Sequence, residues 1–180
     1  MRSIDEAVQQ AMKVQGRIHR IELEALAKYA RMVPTNGLIL EVGSLFGKST
    51  IALALSTEAL VVAVDNFSDT LDPKHPPSLV SLSANLTTAG CENVLIWRCD
   101  SAKAVKCWHW DIHTLFVDGC HEYEYARNDI FGFGKWTTDV IMVHDSHFPG
   151  VRKAIREFLQ RPSGWKWVGK ADSLAIMRRQ

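Results

Sequence analysis

The chain has 180 residues, 47% of them hydrophobic and 23% charged, enough for a substantial buried core and ordinary for a globular domain. Its 21 basic and 20 acidic side chains nearly cancel. That excludes a strong overall field for nucleic acid or an anionic membrane, so neither is expected as a partner. The longest apolar region, Ile51 to Val64, is broken by Ser56, Thr57 and Glu58 and cannot span a bilayer. No stretch near the N-terminus has the form of a signal peptide. The cysteines at 91, 99, 107 and 120 form neither a CxxC pair nor a zinc motif with histidine. They read as reduced thiols of a cytoplasmic protein.

Taken in order, Ser3-Ile-Asp-Glu6 has the form of a capping box and opens a helix from Ile4 to about Gln15. A second helix runs from about His19 to Met32, with Ile21, Leu23, Leu26, Ala27 and Ala30 on its buried side. Pro34 and Gly37 stop it. These helices, residues 1–33, either cover a site or mediate dimerisation. Leu38-Ile-Leu40 then reads as a short buried strand, followed by a loop bracketed by Gly43 and Gly47 and a helix opened by Lys48 and Ser49. This strand–glycine loop–helix unit exposes backbone N–H groups and a helix N-terminus to an anionic ligand.

The next apolar run, Ala59 to Val64, ends in Asp65, about twenty residues past Gly43, the spacing of an acid that holds a ribose diol. A turn-rich loop from Asn66 to Pro77 is placed to border a site. A helix from about Ser78 to Thr88 follows. Then come strands over Val94–Cys99, Thr114–Val117 and Val140–Val143, with helices over about Glu122–Phe133 and Val151–Leu159 between and after them. Trp165–Gly169 and Ser173–Met177 read as a closing hairpin.

Strands and helices alternate five times before two strands come together. The expected fold is a single α/β domain over residues 1–180, with its core in residues 37–178. It is a Rossmann-like, doubly wound, mostly parallel seven-stranded sheet, with helices on both faces and a C-terminal antiparallel hairpin. The five parallel strands end in Glu41, Asp65, Asp100, Asp118 and the pair His144-Asp145. One such acid is an ordinary helix cap. Five at corresponding strand ends describe a ligand-binding rim, because ligands of open α/β sheets bind at the carboxyl ends of the strands.

The ordered set Glu41-x-Gly43-x-x-x-Gly47-x-Ser49, Asp65, Asp100-Ser101 and Asp118 resembles the cofactor site of class I S-adenosylmethionine-dependent methyltransferases. The glycine-loop spacing is similar to that of the catechol O-methyltransferase branch. Asp118-Gly-Cys-His121-x-Tyr123, with His144-Asp145 and Gly150-Val151, is similar to small-molecule O-methyltransferases of the macrolide-sugar and cephalosporin-hydroxylase type. The resemblance implies S-adenosylmethionine as cofactor and transfer of its methyl group to a hydroxyl of a small molecule. It implies that Glu41, Gly43, Ser44, Gly47, Lys48 and Ser49 form the loop around the methionine end. Asp65 and Asn66 would then lie at the ribose, Asp100 and Ser101 at the adenine, and Asp118 near the sulfonium.

Relatives of this type bind Mg²⁺ through the fourth-strand aspartate and an acidic pair after the fifth strand. Here that pair is His144-Asp145, so the implied ligand set is Asp118, His144 and Asp145. One hard oxygen ligand is replaced by imidazole, which suits a softer ion than Mg²⁺. His121, following Asp118 within one turn, is the candidate general base, since a neutral imidazole takes a hydroxyl proton near pH 7. The competing role is packing, as a cap of the following helix or a ring stacked on Tyr123.

Gly47-Lys48-Ser49-Thr50 imitates the end of a P-loop, but only three residues separate Gly43 from Gly47 where that loop needs four. A dinucleotide G-x-G-x-x-G is absent. A fold that binds the cofactor without turnover, as a sensor module, is the remaining alternative.

Overall fold

The computed structural model describes residues 1–68, 76–162 and 164–180. The segment 69–75 of the turn-rich loop expected to border the site lies outside the described residues. The strands are β1 (Leu38–Val42), β2 (Leu60–Asp65), β3 (Val94–Arg98), β4 (Ile112–Val117), β5 (Thr137–Val143), β6 (Trp165–Ala171) and β7 (Leu174–Arg179). They form one sheet in the order β3-β2-β1-β4-β5-β7-β6. Strands β1 to β5 pair in parallel, and β7 runs antiparallel to both β5 and β6. Strand order reverses between β1 and β4, which opens a crevice at the carboxyl ends of those two strands.

The helices are α1 (Ile4–Ala11), α2 (Arg20–Ala30), α3 (Lys48–Ser56), α4 (Leu79–Ala89), α5 (Ser101–Cys107), α6 (Tyr123–Gly134) and α7 (Pro149–Leu159). They divide between the two faces, because successive strand residues point to opposite sides. Ile39, Val61, Phe116, Val140 and Met142 pack with the buried residues of α1 to α4. Leu40, Val62, Leu115, Val117, Ile141 and Val143 pack with those of α5 to α7. Most of these strand side chains are fully buried, and each stabilises the fold by about 1.5–3 kcal/mol relative to exposure.

Several elements differ from the sequence expectation. Helix α1 ends at Ala11 rather than near Gln15, its last turn tightening into bonds from Lys13 N–H to Gln10 and from Val14 N–H to Ala11. Residues 15–18 are thereby freed to run along the cavity described below. Strands β4 and β5 begin earlier than their apolar runs, at Ile112 and Thr137. There, ladder bonds and the burial of Ile112 and Thr137 override the polar residues His113, Thr138 and Asp139. In α2 the buried stripe is Glu22, Leu23, Leu26, Ala27 and Ala30. Ile21, expected inside, is 54% exposed.

Candidate active site

The C-terminal ends of β1, β2, β3, β4 and β5 open into one cavity of about 520 Å³, the size range of small-molecule and cofactor sites. Of the residues singled out in the sequence, Gly43, Ser44, Lys48, Ser49, Asp65, Asn66, Asp100, Ser101, Asp118, His121, His144 and Asp145 line it; Glu41, fully buried, and Gly47, the N-cap of α3, do not. The segment from Gln15 to Ile18 lines it as well.

The glycine loop is a main-chain construction. Gly43 has φ +87°, and a Cβ there would lie 2.2 Å from the carbonyl oxygen of Asp118. Only glycine lets β1 and β4 close together at the switch point. Asp65 holds the loop from β2: one carboxylate oxygen accepts the N–H groups of Ser44 and Leu45, both at 2.8 Å, and the other accepts that of Phe67 at 2.7 Å. The carboxylate also lines the cavity and retains acceptor capacity for a ligand hydroxyl. Helix α3 starts at Lys48 with no side-chain cap, leaving its first N–H groups for an anion. The Lys48 ammonium donates to the Gly16 carbonyl at 3.3 Å.

Glu41 is fully buried and accepts hydroxyl hydrogen bonds from Ser49 and Thr50, both at 2.5 Å. Burial is the main cause that pushes its pKa up to about 8; the two hydroxyls oppose the shift, and the Asp118 and Asp65 charges add to it. A neutral carboxyl at that place ties β1 to the first turn of α3 and so shapes the loop from behind.

At the adjoining end, Asp100 caps α5 by accepting the Ala102 N–H at 3.0 Å. Asp129 of α6, a residue the sequence reading missed, is buried and lines the cavity there. Burial raises its pKa to about 6, against hydrogen bonds with Ser101 and Asn128.

The β4–β5 end concentrates titratable side chains. Gly150 opens this corner: a Cβ there would meet the His121 carbonyl at 2.6 Å and the Tyr123 nitrogen at 2.7 Å, so α7 starts directly against the turn that carries His121. The His121 ring stacks on Phe148, with centroids 4.9 Å apart and planes 7° from parallel, rather than on Tyr123. Its Nε2 lies 3.0 Å from Asp145 Oδ2, yet without hydrogen-bond alignment, and the atom is buried. His144 Nδ1 is similarly placed, 2.9 Å from Asp118 and 3.4 Å from Asp145, again with no hydrogen bond among the described residues.

The buried His121 Nε2 therefore aims at a carboxylate without hydrogen-bond geometry, an arrangement that suits a cation beside it. Asp118, His121 and Asp145 each offer one ligand atom within 4.8 Å of one another. His144 of the expected ligand set has its other nitrogen, Nε2, 3.2 Å from Glu22. Burial opposes charge on His144, but the Asp118 and Glu22 carboxylates beside its ring outweigh it and raise its pKa to about 10. Burial likewise raises the Asp118 pKa, against the His144 contact that lowers it.

Glu22 and Ser173, which touches it, were not visible as site residues in the sequence. The available signal was spacing: Glu22 precedes Leu26 by four and Ala30 by eight, on the buried stripe of α2.

The family model for a methyltransferase domain matches residues 40–146, the segment holding the glycine loop, Asp65, Asp118, His121 and Asp145. None of the curated proteins matches the sequence. Among solved structures, a Podospora anserina methyltransferase bound to S-adenosylhomocysteine superposes with a TM-score of 0.72 at 14% identity, covering 100% of this chain and 89% of that one. A Bacillus cereus O-methyltransferase in complex with S-adenosylhomocysteine gives 0.68 at 14% identity, covering 97% and 89%. The O-methyltransferase TomG of Streptomyces achromogenes, in complex with S-adenosylmethionine, gives 0.64 at 15% identity, covering 99% and 88%. At these identities the likeness establishes the fold.

Proposed function

The chain belongs to the methyltransferase-domain family, and from that premise we propose that it transfers a methyl group from S-adenosylmethionine to a hydroxyl of a small molecule. The observation that carries the reading is one cavity joining the Gly43 loop to the Asp118–His121–Asp145 cluster. When bound, S-adenosylmethionine would supply an electrophilic methyl group, its carbon–sulfur electron pair remaining on sulfur as the methyl passes to an acceptor oxygen. The uncapped start of α3 and the loop N–H groups suit its carboxylate, and Asp65 suits its ribose hydroxyls.

The protein's own part is to align the acceptor with that methyl and to take the hydroxyl proton. His121 is the group we assign to the proton, its Nε2 aimed into the carboxylate cluster. Asp118, His121 and Asp145 would hold a divalent ion, whose chemistry is to lower the pKa of a bound hydroxyl. A set of one imidazole and two carboxylates favours a first-row transition ion over Mg²⁺. With a metal bound, His121 serves as ligand; without it, as base.

Thermal unfolding with S-adenosylhomocysteine, ATP–Mg²⁺ and NAD in parallel tests the cofactor. Ligand at about a hundred times its Kd stabilises by about 2.7 kcal/mol, a rise of about 5–10 °C for a chain of this size. S-adenosylhomocysteine alone is expected to give it; a shift with ATP–Mg²⁺ or NAD instead sinks the reading. Screening phenolic and sugar hydroxyls for methyl acceptance, with and without chelator, then separates the metal and His121 routes. His121→Ala is expected to lower turnover by about 10²-fold or more with S-adenosylhomocysteine affinity retained.

A further inference from the structure

Glu22 lies outside the family-matched segment 40–146, on α2, yet it is 1% exposed, and its hydrogen bonds hold its pKa down at about 2 against the effect of burial. Four contacts account for it. Its Oε2 accepts the His19 N–H at 2.8 Å and lies 3.2 Å from His144 Nε2. Its Oε1 accepts the Ser173 N–H at 3.1 Å and the Ser173 hydroxyl at 2.7 Å. The same hydroxyl oxygen accepts the N–H of Asp145 at 3.2 Å.

One carboxylate thus reaches both residues of the His144-Asp145 pair, the ring directly and the backbone through one hydroxyl. Each contact constrains something costly. With Nε2 taken by Glu22, the His144 ring has no freedom to flip, and Nδ1 stays on the cavity side, 2.9 Å from Asp118. Asp145 has φ +52°, a left-handed conformation that a non-glycine residue keeps only when its surroundings hold it there. Its N–H is anchored by Ser173, and the following residue adds bonds from the Ser146 N–H and hydroxyl to the Ser173 carbonyl at 3.0 and 2.6 Å.

We propose that Glu22 is a positioning residue for methyl transfer, fixing the His144 ring and the Asp145 backbone against Asp118 from α2. The proposal rests on the methyltransferase reading for its role in turnover, while the geometric clamp is independent of it. The plainer account is that Glu22 only docks α2 onto the β6–β7 turn. The N-cap residue of α2 makes such a docking contact beside it: the His19 ring meets Asp172 of that turn, Nδ1 to carboxylate at 2.7 Å, on the surface and within 4.8 Å of the Glu22 carboxylate but in contact with neither His144 nor Asp145 among the described contacts. That pair supplies the control.

The test compares Glu22→Gln, Ser173→Ala and His19→Ala in the full chain by ¹⁵N NMR, following the His144 ring nitrogens and the Asp145 amide. In Glu22→Gln both sets of resonances are expected to move, and in Ser173→Ala the Asp145 amide alone. In His19→Ala both should remain as in the wild type. Glu22→Gln spectra that overlay the wild type, or equal shifts in His19→Ala, overturn the clamp. If Glu22→Gln does not fold, an unmoved Asp145 amide in Ser173→Ala overturns it instead. For turnover, kcat of Glu22→Gln is expected to fall about tenfold or more with KM for S-adenosylmethionine within about twofold. A matched rise in KM with kcat retained would contradict positioning. Failure of the wild type to bind S-adenosylhomocysteine would remove the methyltransferase reading and leave the resonance result standing.

Discussion

The wall of the cavity formed by residues 43–49 is made mainly of backbone, whereas the β4–β5 corner is made of side chains from separated parts of the chain. The loop wall uses N–H groups, a helix terminus and one residue set behind it, Glu41. The corner brings together Glu22, Asp118, His121, Asp145 and Ser173, from α2, the ends of β4 and β5, and the β6–β7 turn. Backbone donors keep one charge state over the accessible pH range and suit binding an invariant group. At the corner the pKa values of Glu22, Asp118 and His144 are shifted from their ordinary values by burial and by one another, as is common where protons are moved. The division teaches that the two walls, one of backbone and one of side chains, are open to separate attack.

The largest effect is expected where the two walls meet. Gly43→Ala places a methyl against the Asp118 carbonyl at a φ that disfavours any side chain. It should destabilise the fold by about 3 kcal/mol or more, read by denaturant unfolding. A variant of wild-type stability would mean that the walls are not in contact at this point.

Next comes Asp65→Ala, which leaves the Ser44, Leu45 and Phe67 N–H groups without their acceptor. A loss of about 1–3 kcal/mol is expected, together with weaker S-adenosylhomocysteine binding by calorimetry. Weaker binding at unchanged stability would show that the carboxylate serves the ligand rather than the loop.

The third effect is a pH slope. The Glu41 pKa is raised from 4.5 to about 8 in the fold. Its neutral form is therefore favoured there, and its stabilising contribution, complete below pH 4.5, is lost as pH rises through about 8. His144, raised from 6.5 to about 10 by Asp118 and Glu22 after the penalty of burial, contributes fully below 6.5 and loses that contribution as pH rises through about 10. For Glu22, burial works to raise the pKa, but hydrogen bonds from His144, His19 and Ser173 hold it near 2. Its contribution is present above 4.5 and is lost as pH falls toward 2. Tm should accordingly decline from about pH 5 to pH 10, and Glu41→Gln should flatten the part below pH 8. A Glu41→Gln curve parallel to the wild type over that interval would show that Glu41 is already ionised in the fold.

Local chemistry made the first wall readable from the sequence. The strand–glycine–helix order, the spacing from Gly43 to Asp65 and the capping box at Ser3 each act within a few turns of chain. Strand alternation likewise gave a mostly parallel sheet ending in a hairpin. What propensity alone could not give was the early start of β5, where the ladder with β4 carries Thr137 into the sheet. Nor could it show that Glu41 turns behind the loop to bind Ser49 and Thr50.

The sequence by itself therefore determined the order of elements, the glycine loop and the row of acids at the strand ends, since each depends on neighbours in the chain. Only the tertiary structure decided which histidine nitrogen faces which carboxylate, that Ile21 points outward, and that Glu22 points inward to His144. The reason is physical. A buried charge is tolerated only beside its partner, and the side-chain partners of Glu22, His144 and Ser173, are 122 and 151 residues away along the chain, a distance that no local pattern encodes.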